Sequence, residues 1–593
     1  MIQHHKSRNV TRRAFLKGTA TFAVTSIGLH GCGQSEPAST RRVSEDRPNI
    51  ILIMADNVGF TEFGINGNRT IRTPNLDAFA RDGVQFTRFY CNPMCAPTRA
   101  SLMTGRYHYR TGVIHTSRGG AKMHGDETTI AEYLKAAGYI TGIFGKWHLG
   151  DNYPMRPQDQ GFDSVLVHKA GRLGQVPDKP NGYFDPILWN NGERVKKQGY
   201  CTDIFFQEAV EFIEDNRDRQ FFVYLPTNVA HTSGEVGLEV HRKYSEPYKA
   251  MGLDDRTATV YGMITNLDDN LGRLFDKLDE LALRRNTLII FLTDDGSVQV
   301  DVAGFRGRGQ PSVYEGGLRV PCFVQWQAHL RTKSLKVDAI ASHIDILPTL
   351  MDVCGLSLPA KPAVDGISLL PLLEGKGIQW PQRTLFFQCH RGLTPQRYQN
   401  CAVVTQRFKM VGYPDTFNDQ TLETSSDNPV LGLYDLVTDP GENDNVAARY
   451  PEVLAKLRAA YDAWYDDVRS TRQFTPGYIH LGSDAESPTY LCRYQDAAYI
   501  DQKPTGWPVY IDRSGKYEFT INRGSVAEEG RIFVRINDKT MSKPLDRGHT
   551  QATFPLPAGK MTLNVWVREQ AKPYVPRSQE DTIGDVVVRL LHN

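Results

Sequence analysis

Long apolar runs that end in polar side chains recur along the first half of the chain. The first, PNIILIMAD at residues 48–56, ends in the carboxylate of Asp56. Similar runs lie at 139–150, 220–228, 287–296 and 320–326. Unbroken apolar runs of this length predict strands that are buried on both faces. Patterns typical of helices lie between them, at 73–83, 127–138, 203–216 and 257–283. This alternation predicts an α/β fold with a mostly parallel sheet and helices on both faces.

The pattern changes twice in the C-terminal part of the chain. From about residue 383, shorter strand patterns and a helical pattern at 450–468 predict a smaller antiparallel sheet packed against the first. After about residue 472, alternating segments separated by turn residues predict an additional all-β sandwich. We therefore expect a main α/β domain at 48–390, a smaller C-terminal subdomain at 391–471 and an accessory β-sandwich at 472–593.

Composition and charge narrow the class of protein. The chain has 593 residues, of which 40% are hydrophobic and 23% charged, as in folded globular proteins. Residues 1–31 hold five of the 69 Lys and Arg residues and none of the 67 acids, so the remainder carries a charge of −3. A nearly neutral body argues against a nucleic acid partner. The nine cysteines show no C-x-x-C spacing, so neither a zinc site nor a disulfide framework is indicated.

The first 31 residues predict a targeting signal. Arg12 and Arg13 precede a short, mildly apolar stretch, which resembles a twin-arginine export signal. The segment Leu29-His30-Gly31-Cys32 resembles a bacterial lipobox, which implies lipidation of Cys32 and a tether at 32–47. We expect export by the twin-arginine machinery to the periplasm or the cell surface of a bacterium, with membrane contact only through that lipid. Ordinary cleavage nearby, which would release a free protein, is the alternative.

Polar residues that follow the predicted strands point to a site. Ligands of parallel α/β sheets bind beyond the carboxyl ends of the strands. The residues at those ends are Asp56, Lys146, His148, Asn228, Asp294 and Asp295.

The segment Cys95-Ala96-Pro97-Thr98-Arg99, followed by ASLMTGR, resembles the signature of type I sulfatases of the alkaline phosphatase superfamily. The motifs around residues 48–470 agree in order: Asp56-Asn57, GKWHLG at 145–150, His231, Asp294-Asp295 and YEGGLRVP at 314–321. The resemblance implies an alkaline-phosphatase-like fold. It also implies that a formylglycine-generating or radical maturation enzyme oxidises Cys95 to Cα-formylglycine (3-oxoalanine).

The carboxylates suggest a metal site. Asp56, Asp294, Asp295 and the amide oxygen of Asn57 form a hard oxygen site that suits one Ca²⁺ per chain, with Mg²⁺ as the alternative. We expect the matured Cys95 side chain to be a further ligand. Family members usually carry Asp-Asp at the first position and Asp-Asn at the second. In this chain the first position is Asp56-Asn57 and the second is Asp294-Asp295, so the set still contains three carboxylates and one amide.

The resemblance implies roles for the other residues. Arg99 holds the hydrated aldehyde, Lys146 binds sulfate oxygens and His148 accepts a proton from the second hydroxyl. His231 protonates the leaving oxygen, although the family usually continues His-x-Pro and this chain reads HTSGE. Imidazoles suit both proton transfers because their ordinary pKa is near neutral.

A second departure concerns the cation that binds sulfate. Family members commonly have a lysine four residues before the aromatic residue of YEGG, and Gln310 stands there in this chain. Arg308 or Arg306 is expected to supply the missing charge. His390 and Arg391 are expected at the rim of the substrate site, between the two sheets.

Three functions remain open from the sequence. The leading one is an exported sulfatase that hydrolyses sulfate esters, with sulfated glycans as the substrate class. The alternative within enzymes is a phosphodiesterase or phosphonate monoester hydrolase of the same superfamily. The alternative of another class is an inactive carbohydrate-binding lipoprotein, in which Cys95 stays unmodified.

Overall fold

The computed structural model describes most of the chain after residue 46. The described ranges are 47–234, 236–297, 304–307, 309–330, 334–376, 380–389, 391, 394–413, 427–500, 503–521, 530–546, 550–569 and 585–591. They all belong to one compact unit, Arg47–Asn593. The expected export signal, the tether and Cys32 lie outside these residues, as do Arg308 and His390.

The main sheet has eleven strands and is mostly parallel. They are β1 Asn49–Ala55, β2 Val84–Tyr90, β3 Ile140–Lys146, β4 Ser164–His168, β5 Ile187–Asn190, β6 Glu193–Lys196, β7 Phe221–Pro226, β8 Thr287–Thr293, β9 Arg319–Gln325, β10 Leu335–Val337 and β11 Ala341–Ser342. The order across the sheet is β10-β2-β9-β8-β1-β7-β3-β4-β5-β6, with β11 beside β2. Strands β8, β1, β7, β3 and β4 run parallel at its centre, whereas β9 runs antiparallel to both of its neighbours.

Eleven α-helices surround or connect the sheets among the described residues. They are α1 Pro74–Asp82, α2 Cys95–Thr104, α3 Ile130–Ala136, α4 Cys201–Asp215, α5 Arg242–Ala250, α6 Asp255–Glu280, α7 Glu315–Leu318, α8 Ile346–Val353, α9 Leu370–Leu373, α10 Pro451–Arg472 and α11 Arg493–Asp496. None of the helices in the described ranges is both long and apolar enough to cross a membrane.

Strand β1 explains why the main sheet carries helices on both faces. Its seven residues are all buried, and alternate side chains enter two different cores. Ile50 and Leu52 pack in the core that α2, α3 and α8 cover. Ile51 and Ile53 pack in the core that α1, α4 and α6 cover. A strand with two buried faces needs an apolar residue at every position, which is the pattern seen in the sequence.

The smaller antiparallel sheet also matches the sequence expectation. Its strands are β12 Leu385–Gln388, β13 Cys401–Val404, β14 Phe408–Gly412 and β15 Leu431–Asp435, paired in that order. Helix α10 packs against it through Tyr461 and Trp464, which share one core with Val403. The first strand of this sheet lies before residue 391, where the predicted subdomain begins, so that boundary stays a prediction.

The last part of the chain forms two facing sheets. The strands are β16 Ile479–Leu481, β17 Thr489–Cys492, β18 Ala498–Ile500, β19 Lys503–Ile511, β20 Gly515–Ile521, β21 Gly530–Ile536, β22 Lys539–Leu545, β23 Gln551–Leu556, β24 Gly559–Glu569 and β25 Asp585–Leu591. One sheet has the order β16-β19-β24-β21-β22, with β18 beside β19, and the other has the order β17-β25-β20-β23. Both bury alternate side chains in a common core. The β-sandwich that the alternating pattern predicts is therefore present.

Candidate active site

Parallel strands at the centre of the main sheet bring polar residues to one edge. Strands β1 and β8 end immediately before Asp56 and Asp294, and β3 ends at Lys146. These strands are parallel, with β7 between β1 and β3, so their carboxyl ends lie at the same edge. The chain after β7 adds His231 to this edge, because Val229 O accepts from Asp56 N at 2.6 Å.

Cys95 occupies the first position of α2 and faces the strand ends. All ten residues of this helix are buried, and only 2% of Cys95 is exposed. Its Sγ lies 3.5 Å from Asp295 Oδ2 and 3.8 Å from Asp56 Oδ1. Burial raises the pKa of the thiol well above its ordinary value, and Asp295 acts in the same direction. An unmodified Cys95 is therefore a protonated thiol and a poor nucleophile.

Two side-chain oxygens of the proposed metal site have no hydrogen-bond partner among the described residues. Asn57 Oδ1 and Asp295 Oδ1 are buried and make no hydrogen bond among the described residues. The Asn57 backbone has a left-handed φ of 59°, and its N–H donates to Asp294 Oδ1 at 3.1 Å. Burial, with Asp294 and Asp56 next, raises the pKa of Asp295 well above its ordinary value. Orphaned oxygens among close carboxylates fit a divalent cation, which would satisfy the oxygens and offset the charge.

Arg99 and Lys146 balance the carboxylates from the opposite side. The Arg99 guanidinium donates to Asp294 Oδ2 from Nε at 3.0 Å and from Nη2 at 2.7 Å. It also donates from Nη1 to Lys146 O at 2.7 Å. Lys146 Nζ lies 2.6 Å from Asp56 Oδ2, and its side chain is fully buried. Burial acts to lower the pKa of Lys146, but Asp56 raises it above the ordinary lysine value. Two fixed cations therefore face three carboxylates.

His148 is fixed in one tautomer. Its Nε2 lies 2.8 Å from Thr116 O, an acceptor, so this nitrogen carries the proton. Its Nδ1 is buried and has no partner among the described residues. Burial, followed by Lys146, lowers the pKa of His148 well below its ordinary value. The residue has a φ of 63°, a left-handed conformation that is unusual outside glycine. The unprotonated Nδ1 is therefore available to accept a proton.

His231 belongs to the same cluster. One ligand atom from each of Asp56, Cys95 and His231 lies within 4.8 Å of the others. Its Nδ1 donates to Thr232 O at 2.9 Å, and burial, followed by Lys146, lowers its pKa to about 3. The imidazole is neutral at neutral pH in the protein without substrate.

Gln310 lies where the cation was expected. Its Nε2 is 3.0 Å from Cys95 Sγ and donates to Asp295 Oδ2 at 2.8 Å. Arg306 points elsewhere: its Nη1 donates to Glu442 O at 2.8 Å, and its guanidinium covers the ring of Tyr314. Nη1 also donates to the Tyr434 hydroxyl at 3.2 Å. These contacts give no support to Arg306 as the replacement for the lysine, which stays a prediction. Arg391 is half-buried. Its charge acts to lower the pKa of the Cys389 thiol, whereas the charge of Asp295 acts to raise it.

The sequence patterns missed two residues of this region. His168 ends β4 directly beside Lys146, and its buried Nε2 has no partner among the described residues. Burial, with the charge of Lys146 acting in the same direction, lowers its pKa to about 3, although its hydrogen bond to the Lys169 carbonyl acts to raise it. Arg172 acts electrostatically on His231, and its Nε is buried without a hydrogen-bond partner in the same ranges. The strand β4 has five residues, too few for a clear periodicity, so its end was not recognised as part of the site.

Comparisons with known proteins agree with this geometry. The family model described as Sulfatase matches residues 48–356, which is half of the chain. The model described as N-sulphoglucosamine sulphohydrolase, C-terminal, matches residues 310–464, which include the smaller sheet. Neither match reaches the β-sandwich at the end of the chain.

Individual relatives and solved structures give the same result. Human arylsulfatase A is 32% identical over 463 residues, covering 69% of this chain and 86% of the relative. Mouse steryl-sulfatase is 28% identical over 526 residues, covering 70% and 81%. The structure of Ps i-CgsB in complex with k-i-k-neocarrahexaose has a TM-score of 0.63 and 26% identity, covering 72% of this chain and 94% of that one. This chain belongs to the sulfatase family and is a sulfuric ester hydrolase with an alkaline-phosphatase-like fold.

Proposed function

We propose that this protein is an exported sulfatase that hydrolyses sulfate esters of sulfated glycans through a matured Cys95. The observation that carries this proposal is the position of Cys95 Sγ, which lies 3.5 Å from Asp295 Oδ2 among buried carboxylates with orphaned oxygens. A protonated thiol in such a place has no evident structural purpose. A matured side chain that places an oxygen nucleophile next to a bound cation would explain this position.

Asp56, Asn57, Asp294 and Asp295 are the residues that would hold one Ca²⁺, or alternatively Mg²⁺, with matured Cys95 as a further ligand. Three carboxylates and an amide oxygen are the ligand types that these hard cations prefer. When bound, the cation supplies positive charge next to the nucleophile and the sulfate oxygens. Arg99 keeps its guanidinium on Asp294 and so holds that carboxylate in one orientation.

A maturation enzyme is proposed to oxidise Cys95 to Cα-formylglycine. The hydrated aldehyde supplies two hydroxyl groups, one to attack sulfur and one whose deprotonation releases sulfate. His148 Nδ1 is the proposed acceptor of that second proton, because Thr116 O fixes the other ring nitrogen as a donor. Lys146, held by Asp56, is the proposed cation for the sulfate oxygens.

His231 is the proposed donor of a proton to the leaving oxygen. In the protein without substrate it is neutral, with a pKa of about 3. A bound sulfate ester brings a negative charge into the site, which favours the protonated imidazole. His231 would therefore take up its proton together with the substrate. Arg172, which already acts on His231, and Gln310 supply the polar contacts that the missing family lysine would make.

Sulfated glycans are proposed as substrates because of two similar structures and the predicted export. Ps i-CgsB was solved in complex with k-i-k-neocarrahexaose. A Bacteroides thetaiotaomicron sulfatase described with the metabolism of multiple glycosaminoglycans has a TM-score of 0.58 and 25% identity, covering 71% of this chain and 99% of that one. Arg391 is the described candidate at the rim for an anionic sugar, with His390 and Arg308 as further candidates outside the described residues.

The central experiment combines mass spectrometry with one substitution. Protein made together with a maturation enzyme should show loss of the Cys95 sulfur in the peptide mass and should hydrolyse sulfated oligosaccharides. Cys95→Ser should fold with an unchanged melting temperature and lose at least a thousandfold in kcat. Active protein with the sulfur still present, or a Cys95→Ser variant with near-normal turnover, would reject the mechanism. Matched sulfate and phosphate esters test whether the sulfate is preferred.

Export has its own test. The motif around Cys32 supports lipidation, and Arg12 and Arg13 support recognition by the twin-arginine machinery. In a bacterial host, Cys32→Ala should move the protein from the membrane fraction to the soluble exported fraction. Replacement of Arg12 and Arg13 by Lys should keep it in the cytoplasm. An unchanged distribution in both variants would contradict this part of the proposal.

A further inference from the structure

The C-terminal β-sandwich contacts the loop that holds His148. Residues 494–496 of the short helix α11 contact residues 116–122 of the main domain, and Lys122 Nζ donates to Asp496 O at 2.7 Å. Arg118 N donates to Tyr494 O at 2.7 Å, and Gly119 N donates to Gln495 O at 2.9 Å. Gly119 has a φ of +79°, and a Cβ there would lie 3.1 Å from Ala497 O. The two backbones are therefore so close that a side chain at position 119 would be crowded.

One carbonyl group connects this contact to the active site. Thr116 O accepts from His148 Nε2 at 2.8 Å and from Gln495 Nε2 at 3.2 Å. A carbonyl oxygen has two lone pairs, so these two donors use its full capacity. The Gln495 side chain is 4% exposed, and its Oε1 makes no hydrogen bond among the described residues. The Gln495 side chain therefore interacts with Thr116 O only as a hydrogen-bond donor, through Nε2.

We propose that Gln495 is a positioning residue of the active site, and that the sandwich thereby completes the site for its proton acceptor. This inference rests on the role given to His148 under the proposed function. With Thr116 O oriented by Gln495, the proton of the neutral imidazole stays on Nε2 and the lone pair stays on Nδ1. Without that donor, the carbonyl can rotate and the ring can exchange tautomer or orientation, which moves the acceptor away from its substrate.

Steady-state kinetics of Gln495 variants form the first test. Gln495→Met keeps the length of the side chain and removes the donor, and it should lower kcat about tenfold with KM within twofold. Gln495→Lys keeps a donor N–H beside Asp496 and should retain kcat within about threefold. Gln551→Met is the matched control, because Gln551 Nε2 donates to Thr520 Oγ1 at 3.3 Å on an exposed part of the same sandwich. Equal losses in the Met and Lys variants, or no loss in either, would overturn the proposal.

A double-mutant cycle separates positioning from general stability. If Gln495 acts through His148, Gln495→Met should cause no further loss of kcat in a His148→Ala background. The same tenfold loss in both backgrounds would show a merely structural role and would overturn the inference. If His148→Ala itself has a normal kcat, the assignment of the proton acceptor fails, and the next measurement still tests the link between Gln495 and His148.

That measurement uses unmatured, metal-free protein, so it does not depend on turnover. In ¹⁵N-histidine spectra, His148 should show protonated Nε2 and unprotonated Nδ1 in the native protein and in Gln551→Met. Gln495→Met should shift His148 towards the other tautomer or broaden its signals by exchange, while Gln495→Lys should resemble the native protein. An identical His148 spectrum in Gln495→Met would reject the proposed link.

Discussion

Asp295 shows how burial acts on a single residue of the proposed metal site. Without a cation, burial and its neighbours Asp294 and Asp56 hold the pKa of this carboxyl well above the ordinary range. Gln310 Nε2 and Cys95 Sγ donate to its Oδ2, whereas its Oδ1 has no hydrogen-bond partner among the described residues. A cation bound at this carboxyl would favour its ionised form, so binding would lower the raised pKa and release protons.

We therefore expect Ca²⁺ binding to release protons and to strengthen as the pH rises. Isothermal calorimetry of metal-free protein, in buffers of different ionisation enthalpy, should give buffer-dependent heats. Asp295→Asn should weaken Ca²⁺ binding at least tenfold and reduce the proton release, whereas the exposed control Asp538→Asn should change neither. Buffer-independent heats and an unaltered affinity in Asp295→Asn would exclude this residue as a ligand.

Gln310 gives a second prediction at the residue scale. It donates one hydrogen bond to the carboxylate of Asp295 and one to Cys95 Sγ, the proposed site of the nucleophile. Gln310→Leu removes both contacts at similar volume, and a lost buried hydrogen bond costs about 1–3 kcal/mol. We expect kcat/KM to fall about tenfold to a hundredfold, measured by initial rates on a sulfate ester. A wild-type kcat/KM would mean that Gln310 has no part in the reaction.

The sequence predicted the candidate site residues that lie in motifs. It did not predict the residues that reach the site only through tertiary contacts. Asp56, Cys95 and Asp294 could be predicted because each stands at the end of a strong pattern or in a signature. His168 and Gln495 could not. The first ends a short strand, and the second lies more than 300 residues from Thr116, in a segment that reads as sandwich core. No local periodicity records such a contact.

At the scale of elements, the close packing of β3 against β7 depends on Gly145. A Cβ at this position would lie 1.9 Å from Pro226 O, and the backbone φ is +143°. Neither the strand nor the carbonyl can move without displacing Lys146, the next residue. This glycine therefore lets the strand that carries Lys146 approach its neighbour.

Gly145→Ala should consequently destabilise the protein far more than a comparable change elsewhere. Gly138→Ala is the matched control, because Gly138 also has a positive φ, +94°, but no atom lies within 4 Å of the added Cβ. The control should cost only about 1–2 kcal/mol of backbone strain. Gly145→Ala should lower the melting temperature much further and abolish activity. Equal melting temperatures for the two variants would show that the close contact between position 145 and Pro226 O does not affect stability.

The elements that the sequence predicted poorly are those at the margins of the sheet. The apolar runs predicted β1, β3, β7 and β8 because a strand that is covered on both faces requires apolar residues at every position. The run at 320–326 has the same composition, yet β9 is antiparallel to its neighbours. Direction is set by the connections and not by burial, so a run of apolar residues cannot reveal it. The hairpin β5–β6 has exposed positions and no strong alternation, and it was not foreseen.

At the scale of the whole molecule, several buried carboxyl groups lie outside the proposed metal site. Burial raises the pKa of Glu62 to about 8 and that of Asp268 to about 6. Asp151 and Asp496, at the contact between the main domain and the sandwich, are raised in the same direction by burial and by nearby acids. Each of these groups binds a proton in the folded protein at a pH where the unfolded chain has lost it.

The sign of the resulting pH dependence follows from linkage. Between the unfolded pKa of about 4.5 and the folded pKa of about 8, Glu62 makes the folded state hold more protons than the unfolded state. The free energy of unfolding therefore falls as the pH rises through this window, by at most about 1.4 kcal/mol per pH unit for one group. Below the window, the contribution of Glu62 is constant.

Glu62→Gln tests this balance for the whole protein. The neutral amide keeps an acceptor for Gly59 N, which donates to Glu62 Oε2 at 2.5 Å, and can still bond Ser297. In excess Ca²⁺, the melting temperature of the native protein relative to that of Glu62→Gln should fall as the pH rises from 5 to 8, and taking this difference cancels the opposite contribution of the buried histidines, whose pKa is lowered. The exposed control Glu246→Gln should follow the native curve. Parallel curves for native protein and Glu62→Gln would contradict the prediction, because a carboxyl that keeps its proton when buried must make the native curve fall relative to that of the variant.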